Sequence, residues 1–305
     1  MKQFINNKLK EIFADFKRDA DQKGCLCELK GTNFQGGRIP DYKNAFVQRY
    51  YLLRFFPAYL AEYYLMYDKL FSIEFLSPPF NVLSIGAGCF VDYYGLHFAK
   101  EERKDYSLID YTGIDSIDWH YKGKIIKQDR ARFLHYNISE LYAFAKHLPD
   151  TKHNIIVFPK SIGEFTPVEF GCLKSLFKES NLEKSKMCLM SSLRSEDNCN
   201  DVDRRRIGEL TNILIKYRGY RCQDDINKVY EMPQNQPNNP NNYIGKEVRG
   251  WDYDNTVCKN VRNTLAKCKK HQDNCVEYDS DCIQLNRNPI LKTSYMKYQI
   301  LRFER

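Results

Sequence analysis

From Phe80 onward the chain alternates short apolar runs with longer stretches of helical periodicity. This alternation is typical of a parallel β-sheet, because parallel neighbours need a crossover connection and cannot be joined by a tight turn. We therefore predict an α/β fold whose sheet is mostly parallel, with residues 81–85 as a central strand. The predicted strands are residues 81–85, 111–114, 132–136, 154–158, 187–190, 220–223 and 295–304. The predicted helices are residues 1–23, 44–71, 92–102, 141–147, 167–178, 203–217 and 256–270.

The N-terminal part of the chain shows helical periodicity and no strand pattern. Residues 1–23 place their apolar side chains on one face, and Gly24 ends that helix. Residues 44–71 are apolar over most of their surface and contain Pro57, which should kink or split the helix. A Ser-Pro-Pro sequence at residues 77–79 then separates this part from the alternating pattern.

A second change of pattern begins after residue 232. Residues 234–242 are rich in asparagine and proline, which predicts a loop, and a basic helix is predicted after it. These breaks divide the chain into four parts. The predicted parts are an N-terminal helical cap at 1–76, the sheet domain at 77–232, an insertion at 233–289 and the final strand of the sheet domain at 290–305.

Composition narrows the function classes. The formal charge of +8 makes an acidic partner such as nucleic acid a candidate, although 39 acidic residues are interspersed with 47 basic ones. The most apolar stretch, residues 50–67, contains Arg54, Pro57 and Glu62, so it does not read as a membrane span. Eleven scattered cysteines without a secretory leader indicate a reducing compartment. We therefore predict a cytoplasmic protein with no membrane partner; its oligomeric state is not predicted.

The first strand leads into a glycine turn, Ile-Gly-Ala-Gly at residues 85–88, and then into a helix. Such a turn lets the backbone pass close under a ligand, and it directs the amides of the helix N-terminus toward that ligand. Asp115 ends the next strand, where a carboxylate can accept both ribose hydroxyls of a nucleoside. In that role Asp115 should add little to stability. In the alternative interpretation it only caps the segment that starts at Ser116.

This stretch resembles the first two motifs of class I S-adenosylmethionine-dependent methyltransferases, a resemblance that covers about residues 80–230 and the last dozen. It implies a Rossmann-like sheet closed by an antiparallel C-terminal strand. It also implies S-adenosylmethionine as cofactor and a methyltransferase activity. The cofactor residues that it implies are Gly86, Ala87 and Gly88 at the methionine end, Asp115 at the ribose, Asn137 near the adenine, and Phe158 at the end of the fourth strand.

Two positions depart from the family pattern. Ser84 stands where the family has an acid, and Phe90 stands where it has a third glycine. We place Asp92 in the cofactor site as a replacement for the missing acid. Two alternatives for the turn stay open: a glycine turn that binds nothing, and a nicotinamide dinucleotide site. The second would need a small residue at Val91 for close helix–strand packing.

The segment after the fourth strand, Pro-Lys-Ser-Ile-Gly-Glu at residues 159–164, is the candidate catalytic region, because ligands bind at the carboxyl ends of parallel strands. Glu164 is the candidate base and Lys160 the candidate group that orients an anionic acceptor. The alternative is a simple turn with both side chains solvated. Near Asp115, Trp119 is a candidate to stack on the adenine and His120 to reach the cofactor rim.

The acceptor is not identified by any motif: neither an Asn-Pro-Pro-Tyr segment nor a Pro-Cys nucleophile is present. Nucleic acid, protein and small molecules all stay open, and so does a non-catalytic module that binds S-adenosylmethionine or a nucleotide. No metal is predicted, because the cysteines in the C-terminal part are separated by nine, six and six residues, unlike paired zinc ligands. These cysteines, with one nearby histidine, are Cys258, Cys268, Cys275, Cys282 and His271.

Overall fold

The structure is a computed structural model that describes residues 1–23, 26–33, 40–121, 129–145, 148, 153–180, 182, 185–194, 197–231, 255–269, 290 and 296–305. The chain divides into two compact units, Met1–Ala61 with Asn235–Ser294 and Glu62–Gln234 with Tyr295–Arg305. The first division falls within a helix. The domain boundaries after residues 76, 232 and 289, and the role of residues 1–76 as a cap, stay predictions.

The elements follow the predicted alternation. The helices are α1 (Lys2–Lys23), α2 (Ala45–Ser72), α3 (Val91–Glu102), α4 (Ile138–Ala145), α5 (Pro167–Glu179), α6 (Asp197–Arg218) and α7 (Asn255–Lys269), with one 3-10 turn at Cys27–Asn33. The strands are β1 (Phe80–Ile85), β2 (Ile109–Asp115), β3 (Arg130–His135), β4 (Ile155–Pro159), β5 (Lys186–Leu193), β6 (Arg221–Cys222), β7 (Tyr230–Glu231) and β8 (Lys297–Glu304). The asparagine- and proline-rich residues 234–242 lie outside the described residues. Strand β7 was not predicted, because a two-residue strand has no readable period.

The first unit is helical where the structure describes it. Five side chains of α1, spaced three or four residues apart, form one buried stripe, as an amphipathic helix requires. Within this unit α1 packs against α7, and Phe16 stacks on Phe46 at a centroid distance of 5.2 Å. The buried stripe consists of Ile5, Leu9, Ile12, Phe16 and Ala20.

Helix α2 bears on the prediction made for Pro57. The proline lies inside it and the helix continues to Ser72, so α2 is not split at Pro57, while the alternative of a kink stays a prediction. Proline removes one backbone hydrogen bond from a helix interior. The burial of Leu53, Phe56 and Leu60 around it, each at most 3% exposed, offsets this loss.

The second unit contains an eight-stranded sheet in the order β3-β2-β1-β4-β5-β8-β6, with β7 paired to β8. Strands β1 to β5 pair in parallel, and β8 pairs antiparallel with β5 over its whole length. This order confirms the prediction of a mostly parallel, Rossmann-like α/β sheet with 81–85 in its interior and an antiparallel C-terminal strand. Because β1 to β5 run in parallel, their carboxyl ends lie along one edge of the sheet, where the segments after β1, β2, β4 and β5 meet.

The centre of the sheet is buried on both faces, which explains why β4 is a continuous apolar run and why β1 and β5 are buried over nearly their whole length. On one face Ile85, Phe158 and Leu189 join a core with side chains of α4, α5 and α6. Helix α5 begins with a capping box: the Thr166 side chain accepts from the Glu169 amide, and the Glu169 side chain accepts from the Thr166 amide. The capping box fixes the residue at which α5 begins, and therefore the residue at which the loop between β4 and α5 ends.

Within the second unit, α3 crosses the end of α2 at Gly95. A Cβ at this position would lie 2.7 Å from both the Tyr63 Cβ and the Tyr64 amide nitrogen. Gly95→Ala should gain up to about 1 kcal/mol in helix propensity. The clash with backbone should outweigh this gain and lower the free energy of unfolding by about 1–3 kcal/mol. Chemical denaturation measures the change.

Gly171→Ala in α5 is the matched control, because no atom of the described residues lies within 4 Å of its Cβ position. It should not be destabilised. Equal stability of the two variants would contradict the close crossing.

Candidate functional site

The turn after β1 carries the two glycines of the predicted motif. Gly86 has φ +73° and Gly88 has φ +56°, a left-handed conformation that glycine adopts without a Cβ clash. The amides of Gly86 and Ala87 both donate to the Ile114 carbonyl, at 2.8 and 3.0 Å. The Gly88 amide donates to the Asp115 carboxylate at 2.8 Å. These three amides therefore donate hydrogen bonds within the protein, and the bonds hold the turn against the end of β2.

The two glycines have different surroundings. A Cβ on Gly86 would overlap with the Ser161 side chain, whose hydroxyl donates to the Ile85 carbonyl. Gly86 therefore allows the segment after β4 to pack directly on the turn. A Cβ on Gly88, in contrast, would meet no atom of the described residues within 4 Å. Gly88 thus borders an open space that a side chain at this position would fill.

Asp115 is half-buried at the end of β2. Its Oδ2 accepts from the Gly88 amide and its Oδ1 from the Ile117 amide, both at 2.8 Å. Burial raises the pKa of Asp115, while these two amides, the Trp119 side chain and the nearby His135 oppose the shift. The bond to Ile117 is the local cap of the alternative interpretation, and both bonds correct the expectation that Asp115 adds little to stability. A carboxylate can accept about four hydrogen bonds, so the amides of Gly88 and Ile117 and the nearby Trp119 side chain do not use all of the acceptor capacity of Asp115.

Asp92 lies in the first turn of α3 and is fully buried. The Tyr111 hydroxyl donates to its Oδ1 at 2.8 Å. Burial raises the pKa of Asp92 to about 6, and the nearby hydroxyls of Ser84 and Tyr111 oppose this shift. The carboxyl therefore lies beside Ser84, where the family pattern has its acid. It has no exposed surface, so a ligand cannot touch it in this conformation.

Phe90 stands in the position of the third glycine of the family pattern and adopts φ +66°. A left-handed conformation costs a residue with a Cβ about 1–2 kcal/mol. The ring lies 5.4 Å from that of Tyr111 and 5.5 Å from that of Phe133, and only 5% of the residue is exposed. Burial of the Phe90 ring therefore offsets the strain of its left-handed backbone. The turn before α3 forms without the glycine that this conformation normally favours.

The side chains of Asn137 and Phe158 both make their contacts with other side chains and backbone groups of the fold. The Asn137 side chain accepts from the Ser139 amide at 2.8 Å and donates to Glu169 at 2.6 Å, so it caps α4 and ties it to α5. Phe158 has no exposed surface and packs in the core against Phe177, with ring centroids 6.5 Å apart. Near Asp115, Trp119 is buried and His120 is exposed.

Lys160 follows β4 and also has a left-handed backbone, with φ +60°. Its Nζ lies 2.9 Å from Oε2 of Glu62, a carboxylate on α2 whose side chain is 1% exposed. Burial raises the pKa of Glu62, and the Lys160 ammonium opposes this rise. The Lys160 charge is therefore balanced by a buried carboxylate. Sequence reasoning missed this partner, although Glu62 is a lone acid in an apolar part of α2.

Glu164 lies in the β4–α5 connection, and its amide donates to the Ser161 carbonyl at 2.9 Å. Its side chain is exposed to solvent. Desolvation by nearby protein atoms nevertheless raises the pKa of Glu164 to about 7. The Arg194 guanidinium opposes the rise, and the Asp203 and Asp115 carboxylates add to it. The structure therefore brings Glu164 and Asp115 to the same edge of the sheet.

Arg194 and Asp203 form an ion pair beside Glu164 that sequence reasoning missed. Nη2 of Arg194 donates to Oδ1 of Asp203 at 2.8 Å, and Nε donates to both carboxylate oxygens at 3.1 and 3.2 Å. Asp203 is fully buried. The sequence offered one indication of this pair, the charged Arg194 directly after β5. A single charged residue at the end of a strand is common on protein surfaces, so it did not predict an ion pair.

Within the described residues, no group of three or more histidine, cysteine or acidic side chains could hold a metal ion. Cys258 lies in α7, whereas Cys275, Cys282 and His271 lie outside the described residues. Across the same ranges, no helix is long and apolar enough to cross a membrane.

Comparison with known proteins gives matches only among solved structures. No family model and no curated protein matches the chain. The plantazolicin methyltransferase BpumL in complex with SAH is 13% identical, with 99% of each chain covered and a TM-score of 0.38. A SAM-dependent methyltransferase from Archaeoglobus fulgidus is 15% identical, with 80% of this chain and 94% of that chain covered and a TM-score of 0.38. A cyclopropane-fatty-acyl-phospholipid synthase-like protein from Lactobacillus casei is 12% identical, with 81% and 92% covered and a TM-score of 0.38. TM-scores of this size do not establish a common fold, so the fold assignment rests on the strand order of this chain.

Proposed function

We propose that this protein is an S-adenosylmethionine-dependent methyltransferase of the class I type. The observation that carries the proposal is the open space beside Gly88, directly next to the Asp115 carboxylate at the carboxyl ends of β1 and β2. Ligands of open parallel sheets bind at such an edge. Because Gly88 has no side chain, the space beside it can hold a bulky substituent of a nucleoside. The Asp115 carboxylate can accept further hydrogen bonds, which suits the hydroxyls of the ribose.

The residues of the turn have distinct proposed roles. Gly86, Ala87 and Gly88 would border the methionine part of the cofactor, and Asp115 would accept the ribose hydroxyls. When bound, S-adenosylmethionine supplies an electrophilic methyl group. The buried Asp92 would act on the cofactor site only indirectly, by supporting the turn through Tyr111.

Asn137 and Phe158 would support the site in the same indirect way. Asn137 fixes the segment after β3 through its bonds to Ser139 and Glu169. Phe158 anchors the end of β4 in the core. Their side chains already use their polar or apolar surfaces within the protein, so we propose that only their backbones border the cofactor.

Glu164 is the proposed base. Methyl transfer to a group X–H forms the X–C bond as the sulfonium–methyl bond breaks, and the proton of X–H must leave. A carboxyl with a pKa of about 7 can take up that proton near neutral pH. Lys160 would contribute less to anion binding than the sequence suggests, because Glu62 balances its charge. It would instead shape the segment after β4.

The acceptor class stays open among nucleic acid, protein and small molecules. The net charge of +8 keeps nucleic acid among the candidates. Asp115 and Glu164, however, make the proposed reaction edge locally acidic, which suits a neutral or cationic acceptor group better than a phosphate. We further propose that the protein acts in the cytoplasm.

Calorimetric titration tests the cofactor. S-adenosylmethionine and its product S-adenosylhomocysteine should both bind the full chain, whereas NAD should not, because Val91 obstructs the close packing that a dinucleotide turn needs. Absence of heat with both sulfur ligands, in a protein whose circular dichroism shows it to be folded, would contradict the proposal.

Transfer of a labelled methyl group tests the activity. The full chain and labelled cofactor are incubated with cell extract, which is then separated into nucleic acid, protein and small molecules. Label in one fraction identifies the acceptor class. Cofactor binding without transfer to any fraction would favour the non-catalytic binding module.

A further inference from the structure

We propose that Arg194, Asp203 and Arg206 are positioning residues that hold residues 162–165 so that the Glu164 carboxyl is fixed at the carboxyl end of β4. This inference rests on the proposed function in one respect only: it assigns Glu164 as the group that takes up a proton. The geometry of the loop is independent of any ligand.

Arg206 clamps the loop from α6. Its Nη1 donates to the Ile162 carbonyl at 2.8 Å and to the Phe165 carbonyl at 2.7 Å, which are the residues on either side of Gly163 and Glu164. Its guanidinium lies 4.7 Å from the centre of the Phe170 ring on α5. One side chain thus fixes both ends of the turn that presents Glu164, and a planar group stacked on an aromatic ring has little freedom to move.

The ion pair of Arg194 and Asp203 supports the middle of the same loop. A Cβ on Gly163 would overlap with both the Arg194 guanidinium and the Asp203 carboxylate, so the loop backbone lies directly on the pair. Asp203 also accepts from the Arg194 backbone amide at 2.9 Å. Since this carboxylate holds both the main chain and the side chain of Arg194, the pair is tied to the end of β5. It provides a fixed surface under Glu164.

The charged groups around Glu164 come from five elements, β2, β4, β5, α2 and α6. Arg194 follows β5, Asp203 lies on α6, and Asp115 ends β2. From the β4 side, Lys160 is paired with Glu62 of α2. Arg194 lowers the pKa of Glu164, while Asp203 and Asp115 raise it. The two members of the ion pair therefore act on Glu164 in opposite directions, and this can be measured.

The experiment is a carboxyl-carbon NMR titration of the full chain without ligand, with Glu164→Gln used to assign the resonance. Asp203→Asn should lower the midpoint of Glu164, and Arg194→Gln should raise it, each by more than about half a pH unit. A residue with a purely structural role would loosen the loop in both variants and shift the midpoint in one direction. Shifts of the same sign, or none in either variant, would overturn the proposal.

Asp201→Asn is the matched control. It makes the same charge change on the same helix, but Asp201 is exposed and is not among the charged groups that act on Glu164, so it should leave the Glu164 midpoint unchanged. An equal shift in this variant would attribute the effect to net charge and overturn the proposal.

Asp203→Asn breaks a buried pair, so this variant can fail to fold. Arg206→Lys then provides a second test, because it retains the charge and loses the planar fork. The Glu164 amide, which donates to the Ser161 carbonyl, should exchange with solvent at least about tenfold faster than in the parent protein. Unchanged exchange would show that the clamp does not hold the loop.

The two proposals fail in different ways. If S-adenosylmethionine does not bind but the midpoints shift as expected, the proposed function fails and the arrangement around Glu164 stands. If the cofactor binds and the midpoints do not shift, only the positioning role fails.

Discussion

Gly88→Val is expected to weaken S-adenosylmethionine binding by more than about 100-fold, since each tenfold step corresponds to about 1.4 kcal/mol. Two branched methyl groups would occupy the space beside Gly88, in which no atom of the described residues lies within 4 Å of the Cβ position. The Gly88 amide would keep its bond to Asp115, so the loss would come from blocked space. Calorimetric titration of both sulfur ligands measures it.

Gly219→Val separates this effect from backbone strain. Gly219 has φ +70°, close to the +56° of Gly88, and its Cβ position is also free of described atoms within 4 Å. It follows α6, away from the glycine turn. Both valine variants should lose similar stability, because both force a β-branched residue into the left-handed region. A folded Gly88→Val protein that binds as tightly as Gly219→Val would remove the main support for the site.

Asp115→Ala is expected to lower both affinity and stability. Two charge-assisted hydrogen bonds to ribose hydroxyls would be lost, which should weaken cofactor binding by roughly 10- to 100-fold or more. The amides of Gly88 and Ile117 would also lose their acceptor. Leaving such amides without a partner in a half-buried turn should lower the free energy of unfolding by about 1–3 kcal/mol. Calorimetry and denaturation of the same preparation measure the two effects.

Asp110→Ala is the control for Asp115→Ala, because Asp110 lies on the same strand near its opposite end. It should leave the affinity unchanged. A stability loss in Asp115→Ala without any loss of affinity would reduce Asp115 to a local cap. The proposed ribose contact would then be wrong.

The strands and helices could be predicted from the sequence because each depends on how often apolar residues recur within a short segment. The apolar run at 154–158 predicted a strand and the pattern at 167–178 predicted a helix, and both are present. The glycine turn was also readable, because positive φ at Gly86 and Gly88 is a local property of the backbone. At Pro57 the local rule left a kink and a split open, and the packed structure, in which the neighbouring side chains are buried, keeps the helix continuous.

The sequence by itself therefore determined the alternation of elements, the parallel sheet and the turn after its first strand. Only the tertiary structure decided what surrounds each polar side chain. Arg206 meets the Ile162 carbonyl across 44 residues, and Tyr111 meets Asp92 across 19. Such pairings depend on how the helices and strands pack, so they cannot be predicted from the periodicity of a short segment. For the same reason the sequence could nominate Glu164 and Asp115 separately, whereas the packed sheet brings them to one edge and sets the charges around them.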